Sequence, residues 1–435
     1  MANKLTLTDT IFWTKRFGTV LGIGVGLIIF IRIVIAIIAG PNPEGSKYLV
    51  ANEACPTNIP EITLTSLPLA TGAQPEIKLE TPDGRLPDLP GVVNVYRFGH
   101  PGQSLNALEE ATAIADELGF PAANRRKITD TDYQWKDVNS ERQLDVNLDN
   151  LNFFISRDFS EPLPIVAGTD APLPSEEEAV NTAYRWLLNL GLADQDISEE
   201  NVKVSFLKIV DGRLNLISSR QEADLVRVDF FRNEDLIYIE NNLGEAVNLG
   251  NAVREQLIEE QGSDPATGQS TDVLRFETDI VTSNPDKANI SLTINGKELN
   301  STEGSINLWS MEYFNWRLPP KSCGTYQLIT PSEAFEKTKA GEGYLTKVEK
   351  KFGGDPFSPY TPEVLKEIVI LDIKLVYLDS RGKQEYLQPV YQLTGDGVLG
   401  DNTKADVVFY VPAVIDTETI PPGGNLETET GSESL

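Results

Sequence analysis

Residues Phe17 to Gly40, FGTVLGIGVGLIIFIRIVIAIIAG, constrain this chain more than any other stretch. Its twenty-four residues rise about 36 Å as helix, enough for the roughly 30 Å hydrocarbon core of a bilayer. Arg32 opposes insertion by about 2.5–3.5 kcal/mol, while each Leu, Ile, Phe or Val returns roughly 0.3–0.6 kcal/mol. Fifteen such residues lie between Phe17 and Ile38, so insertion wins. The sequence therefore predicts a transmembrane helix over 17–40 behind a short stub, 1–16. Lys4, Lys15 and Arg16 before the span place that stub in the cytoplasm and the remainder on the extracytoplasmic side of the plasma membrane. Ile37-Ile38-Ala39 is a poor cleavage site, so an uncleaved signal anchor is expected. Gly18, Gly22 and Gly26 recur every four residues and form a candidate helix–helix interface, through which the chain would pair as a homodimer. Against that stands the ordinary abundance of glycine in membrane helices.

Charge bounds the partners. The chain holds 37 Lys+Arg and 65 Asp+Glu. With Lys4, Lys15, Arg16, Arg32 and Asp9 set aside, 33 basic and 64 acidic groups remain, a net of −31. Such a surface repels nucleic acid and anionic headgroups. A hydrophobic fraction of 40% is that of a folded chain. Cys55 and Cys323 are the two cysteines. They either form one disulfide, tying the linker to the C-terminal region, or remain two thiols.

Nine prolines punctuate 41–92, which reads as an extended linker. Within it Ile62-Thr63-Leu64 and Ile77-Lys78-Leu79 alternate like short docking strands. Three later stretches carry helix signals. Ser104 is an N-cap candidate before Leu108, Ala111, Ile114, Ala115 and Leu118. Ser175 and Glu178 form a capping box before a stripe that ends at Gly191. Thr330-Pro331-Ser332-Glu333 is a third start, stopped at Gly341. Alternating segments follow: Leu144 to Leu148, Val202 to Phe206 turning at Asp211-Gly212, Leu225 to Phe231 continued by Leu236 to Ile239, and Ile290 to Ile294 before Asn295-Gly296. Ile368 to Leu378, Tyr386 to Leu393 and Val407 to Val411 come last. Pro389 belongs at a sheet edge or bulge. The pattern predicts an α+β fold: the transmembrane helix plus repeated helix-on-antiparallel-sheet modules. Two such modules fill 93–262, and a C-terminal domain spans 272–415. Gln261 to Thr271 reads as a break between them, and 416–435 as a disordered acidic tail.

ITPSEAFEKTKAG at 329–341 and EYLQPVYQLTG at 385–395 give a capped helix, then strands, then a Y-L-x-P-V-Y edge strand. These stretches resemble the extracytoplasmic YycH and YycI proteins, whose folds contain PepSY-like helix-on-sheet modules; Leu105 to Phe120 and Glu176 to Gly191 resemble the module's opening helix. The resemblance implies a single-pass regulator that associates with a sensor histidine kinase, and it brings no active-site residue.

Catalytic patterns are weak. His100, in Phe98-Gly99-His100-Pro101-Gly102, is the one histidine, and reads as a turn residue rather than a triad member or ligand. Ser205 and Lys208 match S-x-x-K, but inside an alternating strand they point to opposite faces. Asp396, Asp401 and Asp406 lack the spacing of a calcium loop. Trp135, Trp309, Tyr313 and Trp316 would serve as sugar platforms only if exposed, and core positions are commoner. Asn289-Ile290-Ser291 and Asn300-Ser301-Thr302 match the glycan-acceptor pattern. No catalytic, cofactor-binding or metal-ligating residue is assigned, and no cofactor is expected. The expected function is a membrane-anchored binding or regulatory protein without catalysis, engaging a protein or envelope partner and no nucleic acid. The alternatives are an envelope glycan or peptide hydrolase acting through paired carboxylates, which composition alone leaves open, and a structural scaffold.

Overall fold

The structure is a computed structural model that describes most of residues 55–419. Residues 1–54, 158–172, 241–257, 296–307 and 420–435, with shorter breaks such as 100–104, lie outside the described residues. The chain divides at Val50, and every described residue belongs to the unit Ala51–Leu435.

In chain order, β1 (Glu76–Leu79) and β2 (Val92–Arg97) precede helix α1 (Ala107–Glu117). Strands β3 (Arg125–Lys127), β4 (Asp132–Lys136), β5 (Arg142–Asn147) and β6 (Phe153–Arg157) lead to α2 (Glu176–Asn189). Next come β7 (Ile197–Val210), β8 (Arg213–Ile217), β9 (Leu225–Arg232), β10 (Asp235–Glu240), β11 (Ile258–Ser263) and β12 (Ser270–Thr278). They are followed by β13 (Ile280–Thr282), β14 (Ile290–Ile294), β15 (Leu308–Tyr313) and β16 (Gly324–Leu328). Helix α3 (Pro331–Ala340) and strands β17 (Tyr344–Lys350), β18 (Leu365–Asp379), β19 (Tyr386–Leu399), β20 (Lys404–Pro412) and β21 (Val414–Thr419) complete the set.

Local chemistry explains the helices. Ser175 accepts from the Glu178 N–H and receives the Glu178 carboxylate in return, a closed capping box at the start of α2. Thr330 and Glu333 repeat it at α3, with Pro331 in the first turn and Gly341 left-handed at the end. The turn joining β7 and β8 places both Asp211 (φ 50°) and Gly212 (φ 70°) in the left-handed region that a two-residue hairpin demands.

Two nine-stranded sheets dominate. Sheet I joins β1, β2, β13 and β16–β21, with β1 and β13 parallel to β18. Sheet II runs β3-β4-β5-β6-β15-β14-β9-β7-β8, antiparallel throughout. A small third sheet is β10-β12-β11. The core of sheet II forms on one face, where Trp135, Leu144, Ile155, Met311, Leu292 and Val228 stand in one row beneath α1 and α2. Sheet I is apolar on both faces. Ile373, Leu375, Tyr377, Leu393 and Phe409 pack with Ala334 and Phe335 of α3. Val376, Leu378, Val390, Val408 and Tyr410 lie on the other side, under Ile62 and Leu64.

The expected α+β class is overturned: the described residues are mainly β-sheet, with three α-helices among them. Helices α1 and α2 pack on the same sheet instead of each heading its own module, so the helix-then-meander repeats never separate, and the PepSY-like plan is unsupported. The single-pass membrane anchor and the localisation derived from it are likewise unsupported. Among the described residues no helix is long and apolar enough to cross a membrane. The longest, α2, has 14 residues, about 21 Å of rise against a roughly 30 Å core. The 17–40 stretch, with Gly18, Gly22 and Gly26, lies outside the described residues.

Four smaller readings change as well. Leu236 to Ile239 leaves sheet II for the small sheet, and the two ends of the Gln261 to Thr271 stretch, 261–263 and 270–271, pair within β11 and β12, while 264–269 lie outside the described residues. Ile294 pairs with Leu308, so residues 295–307, not an Asn295-Gly296 turn alone, connect β14 to β15. Pro389 lies inside β19, between β18 and a side on which the neighbour changes from β2 to β20. Its carbonyl accepts from the Ala413 N–H at 3.2 Å. The nitrogen of a strand residue points to the same side as its carbonyl, so the missing donor falls at the changeover, where no ladder bond is lost.

A Cβ at Gly395 would meet the Val369 carbonyl oxygen at 2.0 Å, whereas one at Gly91 meets nothing within 4 Å. Gly395→Ala should therefore destabilise by about 3 kcal/mol or more, and Gly91→Ala by under about 1 kcal/mol, as read from urea unfolding midpoints.

Candidate functional site

Because strand side chains alternate, the face of sheet II opposite α1 and α2 carries the polar half of each strand. One row crosses the sheet there: Arg126, Gln134, Asp145, Phe154, Glu312, Ser291, Asp229 and Lys203. Its two ends differ. Ser291 and Asp229 are buried, while Arg126 and Phe154 are exposed.

The closed end is where the two sheets meet. Arg227 donates two hydrogen bonds of 2.9 Å to Asp229, which also accepts from the Ala288 N–H at 3.2 Å. Glu312 lies 3.5 Å from Arg227 and 3.3 Å from Arg381, the latter in the hairpin leaving β18. Asp286 joins Lys203 of sheet II, at 3.3 Å, to Lys347 of sheet I, at 2.7 Å. Deepest of all, Arg232 of β9 donates to Asp379 of β18 at 2.7 Å, and to the Asn315 side chain and the Trp316 carbonyl at 2.6 Å. Asn289 donates to the Asp379 carbonyl at 3.0 Å. The Asp379 Oδ1 atom is buried without a hydrogen-bond partner in the protein. Arg232, Thr282, Asn289, Asn315 and Asp379 border a cavity with room for about one water molecule, far short of the ~300–1,000 Å³ typical of ligand pockets.

Burial alone would raise the Glu312 carboxyl. The charges of Arg227 and Arg381, with the Arg381 hydrogen bond, outweigh it and hold the group below its ordinary value. Asp286 is likewise depressed: burial opposes ionisation, but the hydrogen bonds and charges of Lys347 and Lys203 prevail.

The open end is a fixed polar array. Asp145 accepts from the Gln134 amide at 2.8 Å through one oxygen and from the Gln143 amide at 2.7 Å through the other. Asn147 donates to Asp132 at 2.8 Å beside them. Phe154 stands next in the row, 38% exposed, stacked on Phe314 with ring centroids 6.4 Å apart. The Arg381 guanidinium lies 4.0 Å from the Phe314 ring centre. Side chains held by one another present donors and acceptors without first having to be ordered.

The residues singled out from sequence fall elsewhere. Trp135, Trp309, Tyr313 and Trp316 are all buried. Ser205 is buried opposite Arg227 in the β7–β9 ladder, and Lys208, three residues on in the same strand, faces the other way. Asp396 and Asp406 face each other across β19 and β20 with the Lys351 ammonium 2.6 and 3.6 Å away, while Asp401 accepts from the Thr403 N–H at 2.9 Å. Among the described residues no group of His, Cys, Asp and Glu is arranged to hold a metal. Asn289 is buried, which bars a glycan; His100, Ser104 and Asn300 lie outside the described residues. Cys55 and Cys323 are bonded, with Cα atoms 4.9 Å apart. The open array went unnoticed in the sequence, although Phe153-Phe154-Ile155 signals it by placing an apolar residue out of phase.

No family model matches the chain, and no curated protein matches it, so no link to YycH, YycI or PepSY proteins is shown. Among solved structures, an uncharacterized protein from Eubacterium rectale ATCC 33656 aligns at 12% identity over 76% of this chain and 85% of its own, with a TM-score of 0.33. That similarity carries neither fold nor function.

Arg232→Met leaves a buried carboxylate uncompensated and should lower stability by about 3–5 kcal/mol, much of it recovered by adding Asp379→Leu. Glu312 has an ordinary value of 4.5 and a lower one when folded. Its contribution is therefore complete above the ordinary value and disappears as pH falls through the folded one. Glu312→Gln should weaken the protein at neutral pH and shrink the stability lost as pH falls below the ordinary value of 4.5, measured as urea midpoints against pH.

Proposed function

We propose that this chain is a non-catalytic binding or regulatory protein, and that a protein partner docks on the open half of the polar face of sheet II. The observation that carries this reading is the pair of glutamine amides clamped by Asp145 beside the exposed Phe154. Fixed amides match the donors and acceptors of polypeptide, and an aromatic anchor next to them supplies the apolar contact on which interface energy concentrates. Arg126 and Lys136, both exposed on β3 and β4, border the array and would favour an acidic rim on the partner.

The test places a photo-crosslinking residue at position 154 of the full chain and, as a control, at the exposed Leu188 of α2. A discrete protein adduct should form from position 154, disappear with Asp145→Ala, and be absent from position 188. Equal labelling from both positions would remove the reading. So would turnover of an envelope polymer abolished by Asp396→Asn or Asp406→Asn, which would favour a hydrolase.

A further inference from the structure

One apolar strip of sheet I is covered by neither helix nor sheet. Val376, Leu378, Val390, Val408 and Tyr410 face the described residues of segment 55–70, from which Ile62 and Leu64 pack down onto them. Among the described residues no strand pairing holds this strap: Ile59 and Leu67 are half-buried against neighbouring core clusters, Tyr344 donates to the Ile62 carbonyl at 3.5 Å, and the Leu345 N–H donates to Ser66 Oγ at 3.1 Å. Tyr326, Gln388 and Tyr360 donate to the carbonyls of Pro56, Pro60 and Pro68. The Leu67 N–H donates to the Leu345 carbonyl at 2.7 Å, and the Ala70 N–H to the Glu363 carbonyl at 3.0 Å. At the start of the strap the fastening is covalent: Cys55 is bonded to Cys323 beside β16, and its N–H donates to the Cys323 carbonyl at 3.0 Å.

We propose that the Cys55–Cys323 disulfide is a redox-operated fastener, and that its reduction by a dithiol releases the strap and bares the apolar strip beneath it. This stands apart from the docking face on sheet II and does not depend on it. Cys323 is half-buried whereas Cys55 is buried, so attack falls on Cys323. A thiolate of the dithiol attacks Cys323 Sγ, the S–S bond breaks, and Cys55 leaves as a thiolate that takes up a proton. The second thiol of the reductant then displaces Cys323 from the mixed disulfide. Two electrons pass, the protein gains two thiols, and the reductant ends as a disulfide. What remains on the strap is a set of single hydrogen bonds, the buried Ile62 and Leu64, and the half-buried Ile59 and Leu67, with no ladder pairing among the described residues. Such a segment opens locally far more readily than the sheet beneath it.

Hydrogen exchange on the full chain tests this, with the disulfide intact, with dithiothreitol added, and in Cys55→Ser. The Leu67 and Ala70 amides should exchange at least about tenfold faster in both reduced forms, and a dye that fluoresces on apolar surface should bind. Amides of β4–β6 in sheet II should keep their protection. Unchanged strap protection in both reduced forms overturns the proposal, as does simultaneous loss of protection in both sheets, because that is global unfolding rather than release. Ile62→Asn with the disulfide intact supplies the converse: it should raise dye binding less than reduction does, because the fastened end limits how far the strap can leave.

Discussion

Arg232 and Asp379 come from different sheets, and neither can be left dry and unpaired without a penalty of several kcal/mol. Arg232 has its donors committed to Asp379, Asn315 and Trp316 at 2.6–2.7 Å, so a small slide of one sheet across the other breaks several bonds together. Apolar contacts alone would tolerate such a slide, since greasy surfaces of similar volume repack at little cost. Asp286 between Lys203 and Lys347, and Glu312 between Arg227 and Arg381, repeat the device on either side. Charge thus fixes the position in which the two sheets meet, while burial of apolar area supplies the bulk of the stability.

The same ties divide the polar row of sheet II. Where sheet I closes over it, the polar side chains pair with one another, and Arg227 lies 5.5 Å from the Phe357 ring centre. Among the described residues no layer covers the strands beyond Glu312, and the side chains of β3–β6 on that face are exposed or half-buried. Asp145 uses both oxygens on neighbouring amides, which makes it a clamp that holds Gln134 and Gln143 in place.

What could be read from sequence was what is local. The capping boxes at Ser175 and Thr330, the left-handed Gly341 and the Asp211-Gly212 turn are each specified within four residues, and the structure contains them as read. Alternation likewise located strands such as β5, where buried and half-buried residues take turns. Strand partnership was not legible, because it is settled between residues far apart. β2 at 92–97 pairs with β16 at 324–328, and β9 at 225–232 with β14 at 290–294. Helices α1 and α2 could therefore be placed but not assigned to a common sheet, and the modular α+β reading followed from that gap. Exposure of aromatics failed for the same reason. Trp135 and Phe154 are both apolar residues in alternating strands; one points beneath α1 and α2, and the other points to the uncovered face.

The proline-rich segment shows how a composition read as mere linker can be structural. The end of strand β18, Leu375 to Leu378, is apolar and buried in both phases, the mark of a strand covered on two faces, so this part of sheet I needs two covers. Helix α3 provides one. The other must lie flat on apolar side chains, where an unpaired backbone N–H would carry a penalty of about 1–3 kcal/mol. Proline removes that donor. The carbonyls of Pro56, Pro60 and Pro68 then need only donors, and Tyr326 of β16, Gln388 of β19 and Tyr360, just before β18, supply them. A segment so built covers a sheet without joining its ladder, which is why covalent fastening at Cys55 matters to it and would add little to a paired strand.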